Sequence, residues 1–357
     1  MAIDDPRIDL RSDTVTRPDD EMRRAMAAAE VGDDVFEEDP TVRRLEEEAA
    51  ALLGHQGGLF MPTGTMGNQV ALHLHAARGS EVICEARSHV LNYEMGAMAA
   101  LSGLLPRAVP GDARGRLDPA AVEAAVHPEV SYLTRTGVIA VENTHNMAGG
   151  SVSTPERMAE LVAVARRHGL PIHLDGARLF NAAVALGVEP RELAAPFDSV
   201  MVSLSKGLGA PVGSLLCASA ERIREARRVR KMFGGGMRQV GVLAAAGLVA
   251  LRRGFDHLAA DHENARWLAA ETAALPGIVL DPATVETNIV IFEIGPTFFG
   301  GRTPDRGPAP ELVARAAEQG LLAVPLSPTT IRFVTHRDVP RAKIERAAAV
   351  LRELAAV

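Results

Sequence analysis

Two short apolar runs, each ending in polar, tight-turning residues, constrain the fold of this chain more than any other feature. Pro171 to Asp175 is followed by Gly176, Ala177 and Arg178, and Phe197 to Ser205 by Lys206, Gly207, Leu208 and Gly209. Both runs read as buried strands of a parallel sheet. From about residue 40 to 250 strand-like and helix-like stretches alternate around them. Asp39 and Pro40 offer an N-cap and an N1 proline to a helix with Val42, Leu45, Ala49, Leu52 and Leu53 on one face, closed by Gly54. Strands are predicted at Leu59–Met61, Glu81–Glu85 and Thr136–Glu142. Helices are predicted to open in the turn Pro62–Asn68 and at Pro155. Such alternation implies an α/β fold, a parallel sheet between layers of helices.

A chain of 357 residues exceeds the usual limit of a single core. Near residue 250 the pattern changes. A long helical stretch, Met237 to Ala274, leads to a strand at Thr287–Glu293 and a Gly/Pro/Arg loop from Gly295 to Pro310. A helix near 311–319, a strand at Thr330–Val334 and a final helix complete the chain. The expected division is residues 1–250, an N-terminal arm and a large domain, and residues 251–357, a smaller α+β domain. A hydrophobic content of 47% with 23% charged residues describes an ordinary globular chain. The net charge of −7 argues against a nucleic-acid footprint. The stretch Arg222 to Lys231 has six basic residues in ten positions, a run that usually forms a solvated helix face. Cys84 and Cys217 lie in strand-like runs and read as small buried hydrophobes, with no disulfide framework or metal cluster implied. Neither a secretory signal nor a run of membrane-spanning length is found, so a cytoplasmic location is expected.

In open α/β sheets ligands sit beyond the carboxyl ends of the strands. Asp175, Arg178 and Lys206 would therefore share one crevice, with Asp175 and Lys206 separated by 31 positions. A pyridoxal-phosphate enzyme needs such groups: a lysine for the Schiff base and an acid against the pyridinium nitrogen. Taken singly, the Asp could be only a helix N-cap and the Lys a solvated loop residue. Thr63, Gly64 and Thr65 stand between a strand and a helix start, where free N–H groups and the helix dipole favour a phosphate. His89, after the Cys84 strand, could stack on a flat ring or move a proton, or be a surface histidine. Arg332 on a predicted strand could clamp a carboxylate, or lie exposed on an edge strand.

Nine blocks then resemble, in order, the low-specificity L-threonine aldolases among the aspartate-aminotransferase-like, fold type I pyridoxal-phosphate enzymes. They are Ile8–Pro18, Val31–Val35, Asp39–Val42, Pro62–Thr65, Glu142–Asn146, His173–Arg178, Leu204–Gly209, Gly234–Gln239 and Arg332–His336, spread over nearly the whole chain. The resemblance implies a large domain with a mainly parallel seven-stranded sheet, and pyridoxal 5'-phosphate as cofactor. It implies cleavage of L-threonine, L-allo-threonine and related β-hydroxy-α-amino acids to glycine and an aldehyde. Lys206 would carry the Schiff base, Asp175 would meet the ring nitrogen, and Arg178 would hold the ring hydroxyl and help with the substrate carboxylate. Gly64 and Thr65 would bind the phosphate, His89 would stack on the ring, and Ser12 and Arg332 would clamp the carboxylate. Lys231 and Arg238 would reach the site of a neighbouring subunit, in a homodimer or homotetramer with shared active sites. Members often carry a second active-site histidine ten residues before the Glu of the Glu142 block. Tyr132 stands there, leaving open which residue is the base and how threo and erythro substrates are distinguished. The rival readings are another lyase on the same scaffold, β-eliminating or serine-hydroxymethyltransferase-like, and a non-catalytic cofactor-binding relative.

Overall fold

Strand pairing in the computed structural model, which describes residues 6–295, 297–300 and 304–355, gathers the alternating region into one sheet. In chain order the strands are β1 (Ile8–Asp9), β2 (Gly57–Met61), β3 (Glu81–Glu85), β4 (Leu105–Val109), β5 (Thr136–Glu142), β6 (Ile172–Gly176) and β7 (Ser199–Ser203). Then come β8 (Ser214–Ala218), β9 (Ile278–Val279), β10 (Ile289–Ile294), β11 (Leu321–Leu322), β12 (Val324–Pro325) and β13 (Thr330–Val334). The large sheet has seven strands in the order β2-β8-β7-β6-β5-β3-β4. Only β8 runs against its neighbours, β2 and β7; the pairs from β7 through to β4 are parallel. The mainly parallel α/β sheet expected from the sequence is present.

β6 and β7 are buried along their whole length, as a strand covered on both faces by helices must be. The helix Pro40–Leu53 forms where expected, with the Asp39 side chain accepting from the N–H groups of Thr41 and Val42. The helix Gly64–His75 lies against β7 so closely that glycine is required. A Cβ on Gly67 would come within 2.6 Å of Met201 Cγ. Gly254 and a 3-10 turn, Gly254–His257, break the long helical stretch into Gly241–Arg253 and Leu258–Ala273.

A second apolar core, built from Leu268, Phe292, Ile331, Phe333, Leu351 and their neighbours, also takes in Ile8 and Leu10. Its four-stranded sheet has the order β12-β13-β10-β9. The N-terminal arm is tied to this region: β1 pairs with β11 in parallel, and Val334 N donates to Leu10 O at 2.9 Å. The arm thereby delivers residues 12 and 13 to the gap between the two cores. No helix among the described residues is long and apolar enough to cross a membrane. Cys84 and Cys217 are buried and unpaired.

The basic run does not form a solvated face along its length. Arg230 is buried, donating to Phe60 O at 2.7 Å and to Asp34 at 2.5 Å, while Arg227 bonds Asp34 and Glu46 at 3.2 and 3.1 Å. The carboxylates that draw these guanidinium groups inward come from distant parts of the chain, which no local charge pattern displays.

Asp261 on the helix Leu258–Ala273 is buried, and its Oδ2 has no hydrogen-bond partner. Burial first, and then the charge of Asp13, push its carboxyl up to about 8, against the pull of Arg337. The folded chain therefore prefers the neutral acid. That preference is fully present below the unfolded value of about 3.9 and is lost as pH rises toward 8. Asp261→Asn should stabilise the protein by about 1–3 kcal/mol at pH 8 and have almost no effect at pH 4. Denaturant melts at the two pH values provide the check; equal effects at both would show that the carboxyl does not titrate in this window.

Candidate active site

β6 and β7 end side by side, and their carboxyl ends place Asp175, Arg178 and Lys206 in one crevice. A third strand end contributes Glu142, paired in register with Asp175. The arm closes the crevice from above. Thr16 Oγ1 donates to Lys206 O at 2.8 Å, and Asp13 is fully buried against Arg178. Arg178 Nε and Nη2 grip the two Asp13 oxygens at 2.7 and 2.6 Å, a bidentate fork. Asn288, at the start of β10, adds a donor to Asp13 Oδ2 at 3.2 Å. Burial opposes a charge on Asp13, but the Arg178 guanidinium and the Lys206 amine outweigh it and hold the carboxyl well below the usual range.

Lys206 shows the opposite balance. Burial and the neighbouring Arg178 charge bring its amine down to about 8, although Asp13, Asp175 and Glu142 favour the ammonium. More of it is thus the neutral nucleophile near neutral pH than in an ordinary lysine.

The third Arg178 nitrogen, Nη1, donates to Asn146 Oδ1 at 3.3 Å, and Arg332 Nη1 donates to the same oxygen at 3.1 Å. Two cations from different cores converge on one acceptor. Arg332 lies on β13, flanked by β12 and β10, so it is not an edge-strand residue. Its Nε is buried without a partner. Burial, and then Arg178, weaken the hold of Arg332 on its proton. Ser12 stands beside Asp13, capping the 3-10 turn Asp13–Val15 and accepting from Thr14 N at 3.2 Å.

Behind the crevice, Asp175 Oδ2 accepts from Asn68 Nδ2 at 2.8 Å and Oδ1 from Ala177 N at 3.1 Å. Asn68 Nδ2 also donates to Glu94 Oε1 at 2.8 Å, and His89 Nδ1 meets that same oxygen at 2.9 Å. His89 Nδ1–H therefore donates to Glu94, leaving Nε2 as the ring's free nitrogen. Burial disfavours the imidazolium, but Glu94 and Asp175 reverse this and raise its proton affinity overall. Glu142 accepts from His89 N at 2.7 Å and Asn146 N at 2.8 Å. Burial is the main reason its carboxyl is raised, aided by Asp175 and opposed by His145.

At the start of the helix Gly64–His75 the Thr63 hydroxyl accepts from Met66 N at 3.1 Å. The N–H groups of Gly64 and Thr65 have no acceptor among the described residues. These free donors, the half-buried Lys206 amine and Arg332 Nε, without a partner among the described residues, suit a phosphorylated aldehyde cofactor and an amino-acid carboxylate.

The other expected residues lie apart. Lys231 lies exposed in the last turn of the helix Ala220–Met232, and Arg238 pairs with Asp33 at 3.0 Å with 60% of its side chain exposed. Tyr132 is 82% exposed and precedes β5, at the amino end of the strand, whereas the crevice lies at the carboxyl ends. Within one chain it does not join Arg178 and Arg332. Asp13, Asn68, Glu94, Glu142 and Asn146 also belong to the site, with no role expected from the sequence. Asp13, Glu142 and Asn146 lie inside the blocks that carried the resemblance, which was the available signal. Asn68 and Glu94 offered none.

Residues 9–294 match the beta-eliminating lyase family. Low-specificity L-threonine aldolase 1 of Arabidopsis thaliana is 44% identical over 335 residues, covering 93% of this chain and 92% of that protein. The low specificity L-threonine aldolase of Escherichia coli strain K12 is 41% identical over 342 residues, covering 96% and 97%. Among solved structures, the threonine aldolase of Leishmania major superposes with a TM-score of 0.79 at 21% identity, covering 97% of this chain and 99% of that one. A serine palmitoyltransferase of Sphingomonas wittichii gives 0.74 at 16%, covering 98% and 87%. The fold is the aspartate-aminotransferase-like fold of type I.

Asp13→Asn would leave the Arg178 charge buried without its counter-charge. It should lower stability by about 3–5 kcal/mol, read from denaturant midpoints. A loss below about 1 kcal/mol would mean that solvent reaches Arg178.

Proposed function

Because the chain belongs to the beta-eliminating lyase family, in its low-specificity L-threonine aldolase branch, we propose that the crevice binds pyridoxal 5'-phosphate. With it the chain cleaves L-threonine, L-allo-threonine and related β-hydroxy-α-amino acids to glycine and an aldehyde. The observation that carries this reading is the placement of Lys206, just beyond β7, beside Asp175 on the neighbouring β6 and the Arg178 that follows it, with its amine lowered to about 8.

When bound, the cofactor supplies a sink for the electron pair released at the substrate Cα. Lys206 offers the amine that attaches it. Asp175 would meet the ring nitrogen, and Gly64 and Thr65 would give their N–H groups to the phosphate. Arg332 and Ser12 take the substrate carboxylate. Arg178 assists through Nη1 alone, because Asp13 occupies its other edge. Asn146 Oδ1, now bridging the two guanidinium groups, yields its place to a carboxylate oxygen. Fixing that group orients the bond from Cα to Cβ. His89 Nε2 then accepts the β-hydroxyl proton as the aldehyde departs, with Glu94 holding the far side of the ring. A methyl substituent gives the site little to grip, so discrimination at the β position is loose.

Lys231, Arg238 and Tyr132 are assigned to the site of a neighbouring copy in a homodimer or homotetramer. Phe36 at 70%, Met232 at 62% and Met95 at 96% exposure support self-association, as apolar side chains that a second copy would cover. Another lyase on this scaffold, acting on S-alkyl cysteines, is the alternative.

Purified protein with added cofactor should release aldehyde from both threonine diastereomers and little product from S-alkyl cysteines; the reverse pattern would sink the aldolase reading. Lys206→Ala should lose the visible absorbance of the bound cofactor together with turnover, by roughly a thousandfold or more. Tyr132→His should shift the ratio of allo-threonine to threonine cleavage by about threefold or more with stability unchanged. A constant ratio would remove Tyr132 from stereoselection.

A further inference from the structure

The helix Gly64–His75 crosses the face of the large sheet that carries Asp175. Asn68 and His75, seven residues apart, lie on one face of that helix. His173 and Asp175, two apart on β6, share one face of the sheet, and Ser199 on β7 is the register partner of His173. These residues meet in one line. His75 Nε2 lies 2.7 Å from Ser199 Oγ, Ser199 Oγ 2.8 Å from His173 Nδ1, and His173 Nε2 3.0 Å from Asn68 Oδ1. Asn68 Nδ2 donates to Asp175 Oδ2 at 2.8 Å.

Every hydrogen in this line has one place. Asn68 Nδ2 faces the oxygens of both Asp175 and Glu94. Turned the other way, the amide would set its own oxygen against two carboxylates. Asn68 Oδ1 must then accept from His173 Nε2–H. Burial lowers His173 to about 4 and His75 to about 3, so each ring carries a single proton. His173 Nδ1 is therefore an acceptor, the Ser199 hydroxyl must donate to it, and Ser199 Oγ takes its own bond from His75 Nε2–H. All the dipoles point the same way, toward Asp175, and bonds so arranged polarise one another.

We propose that Asn68, His173, Ser199 and His75 are positioning residues. They form a hydrogen-bonded chain of fixed polarity that holds the Asp175 carboxylate by donors alone, in the orientation from which it meets the cofactor's ring nitrogen. The inference rests on the assignment of Asp175 to that nitrogen. With Asn68 and Ala177 both donating, each Asp175 oxygen is held as an acceptor, and the carboxylate would present its charge to the ring nitrogen. Reversing the chain would require Asn68 to abandon Glu94 as well. At its far end, His75 lines an open cavity of about 300 Å3 together with His55, Asp198 and Arg222, near the amino ends of β6 and β7. There His75 Nδ1 has no protein partner.

The test uses holoenzyme loaded with pyridoxal phosphate labelled with 15N in the ring, comparing the wild type with His173→Leu, His173→Gln and Ser199→Ala. Leucine fills the space but cannot donate; glutamine restores an N–H toward Asn68. In His173→Leu the ring-nitrogen resonance should move toward that of unprotonated pyridine. With it kcat for threonine should fall about tenfold while KM stays within about threefold. His173→Gln should remain near the wild type, and Ser199→Ala should lie between them. A resonance in His173→Leu identical to the wild type, or the same change in the leucine and glutamine variants, would overturn the proposal. If neither His173 variant holds cofactor, Ser199→Ala decides alone, because it removes one hydroxyl and an unmoved resonance would refute the chain. A wild-type holoenzyme that releases no aldehyde from threonine removes the aldolase reading, while the ring-nitrogen comparison still decides this one.

Discussion

The buried pair between Asp13 and Arg178 is the contact on which the rest of the crevice depends. Asp13 arrives on the N-terminal arm, which is itself a strand of the second core, and Arg178 follows β6 of the large sheet. Asn288 brings in β10 at the same point. Two cores and the arm are thereby fixed to each other through one carboxylate. Desolvating both charges offsets much of their attraction, so the pair is weak evidence of net stability. Its consequence is geometric. A guanidinium held by Nε and Nη2 has a single edge left, and that edge points at Asn146 beside Arg332.

The same pair sets the electrostatic tone of the crevice. Arg178 is one reason the Lys206 amine is lowered, and Asp13 one reason it is not lowered further. The outcome is an amine that gives up its proton more readily than an isolated lysine, which a nucleophile needs. Glu142, its carboxyl raised by burial, lies beside the same groups and favours the Lys206 ammonium. Its hydrogen bonds go to backbone N–H groups of His89 and Asn146, so its part is to seat the residues on either side of the crevice.

Legibility in the sequence followed the range of the interactions involved. Strand ends declare themselves locally, so Asp175 and Lys206 were readable from two apolar runs and their closing turns. The interior position of Arg332 was not, because sheet order is settled by pairing between distant segments. Strand β4 went unread because its exposed residues carry no apolar run. The helix break at Gly254 was hidden in an otherwise continuous periodic stretch. Glu94 and Asn68 were invisible for a stronger reason. Their meeting depends on how a helix rotates over a sheet, which Gly67 decides by letting the helix settle against Met201. Tyr132 was assigned from the resemblance alone, and the position of its loop before β5 keeps it out of this chain's own crevice.

Asn68 has one amide group and gives one hydrogen to each of two carboxylates. One of them, Asp175, is assigned to the electron sink, and the other, Glu94, holds the ring of the proposed base, His89. The two halves of the proposed chemistry, electron withdrawal and proton acceptance, are thus referenced to the same nitrogen. A shift of the helix Gly64–His75 would move both at once, and with them the N–H groups of Gly64 and Thr65 at its start. A single rigid helix spanning all three functions keeps their distances fixed without needing each loop to be rigid. It also explains why this helix begins with two glycines within four residues, despite their cost to helix stability of about 1 kcal/mol each. Close seating against β7 is what puts Asn68 within reach of Asp175.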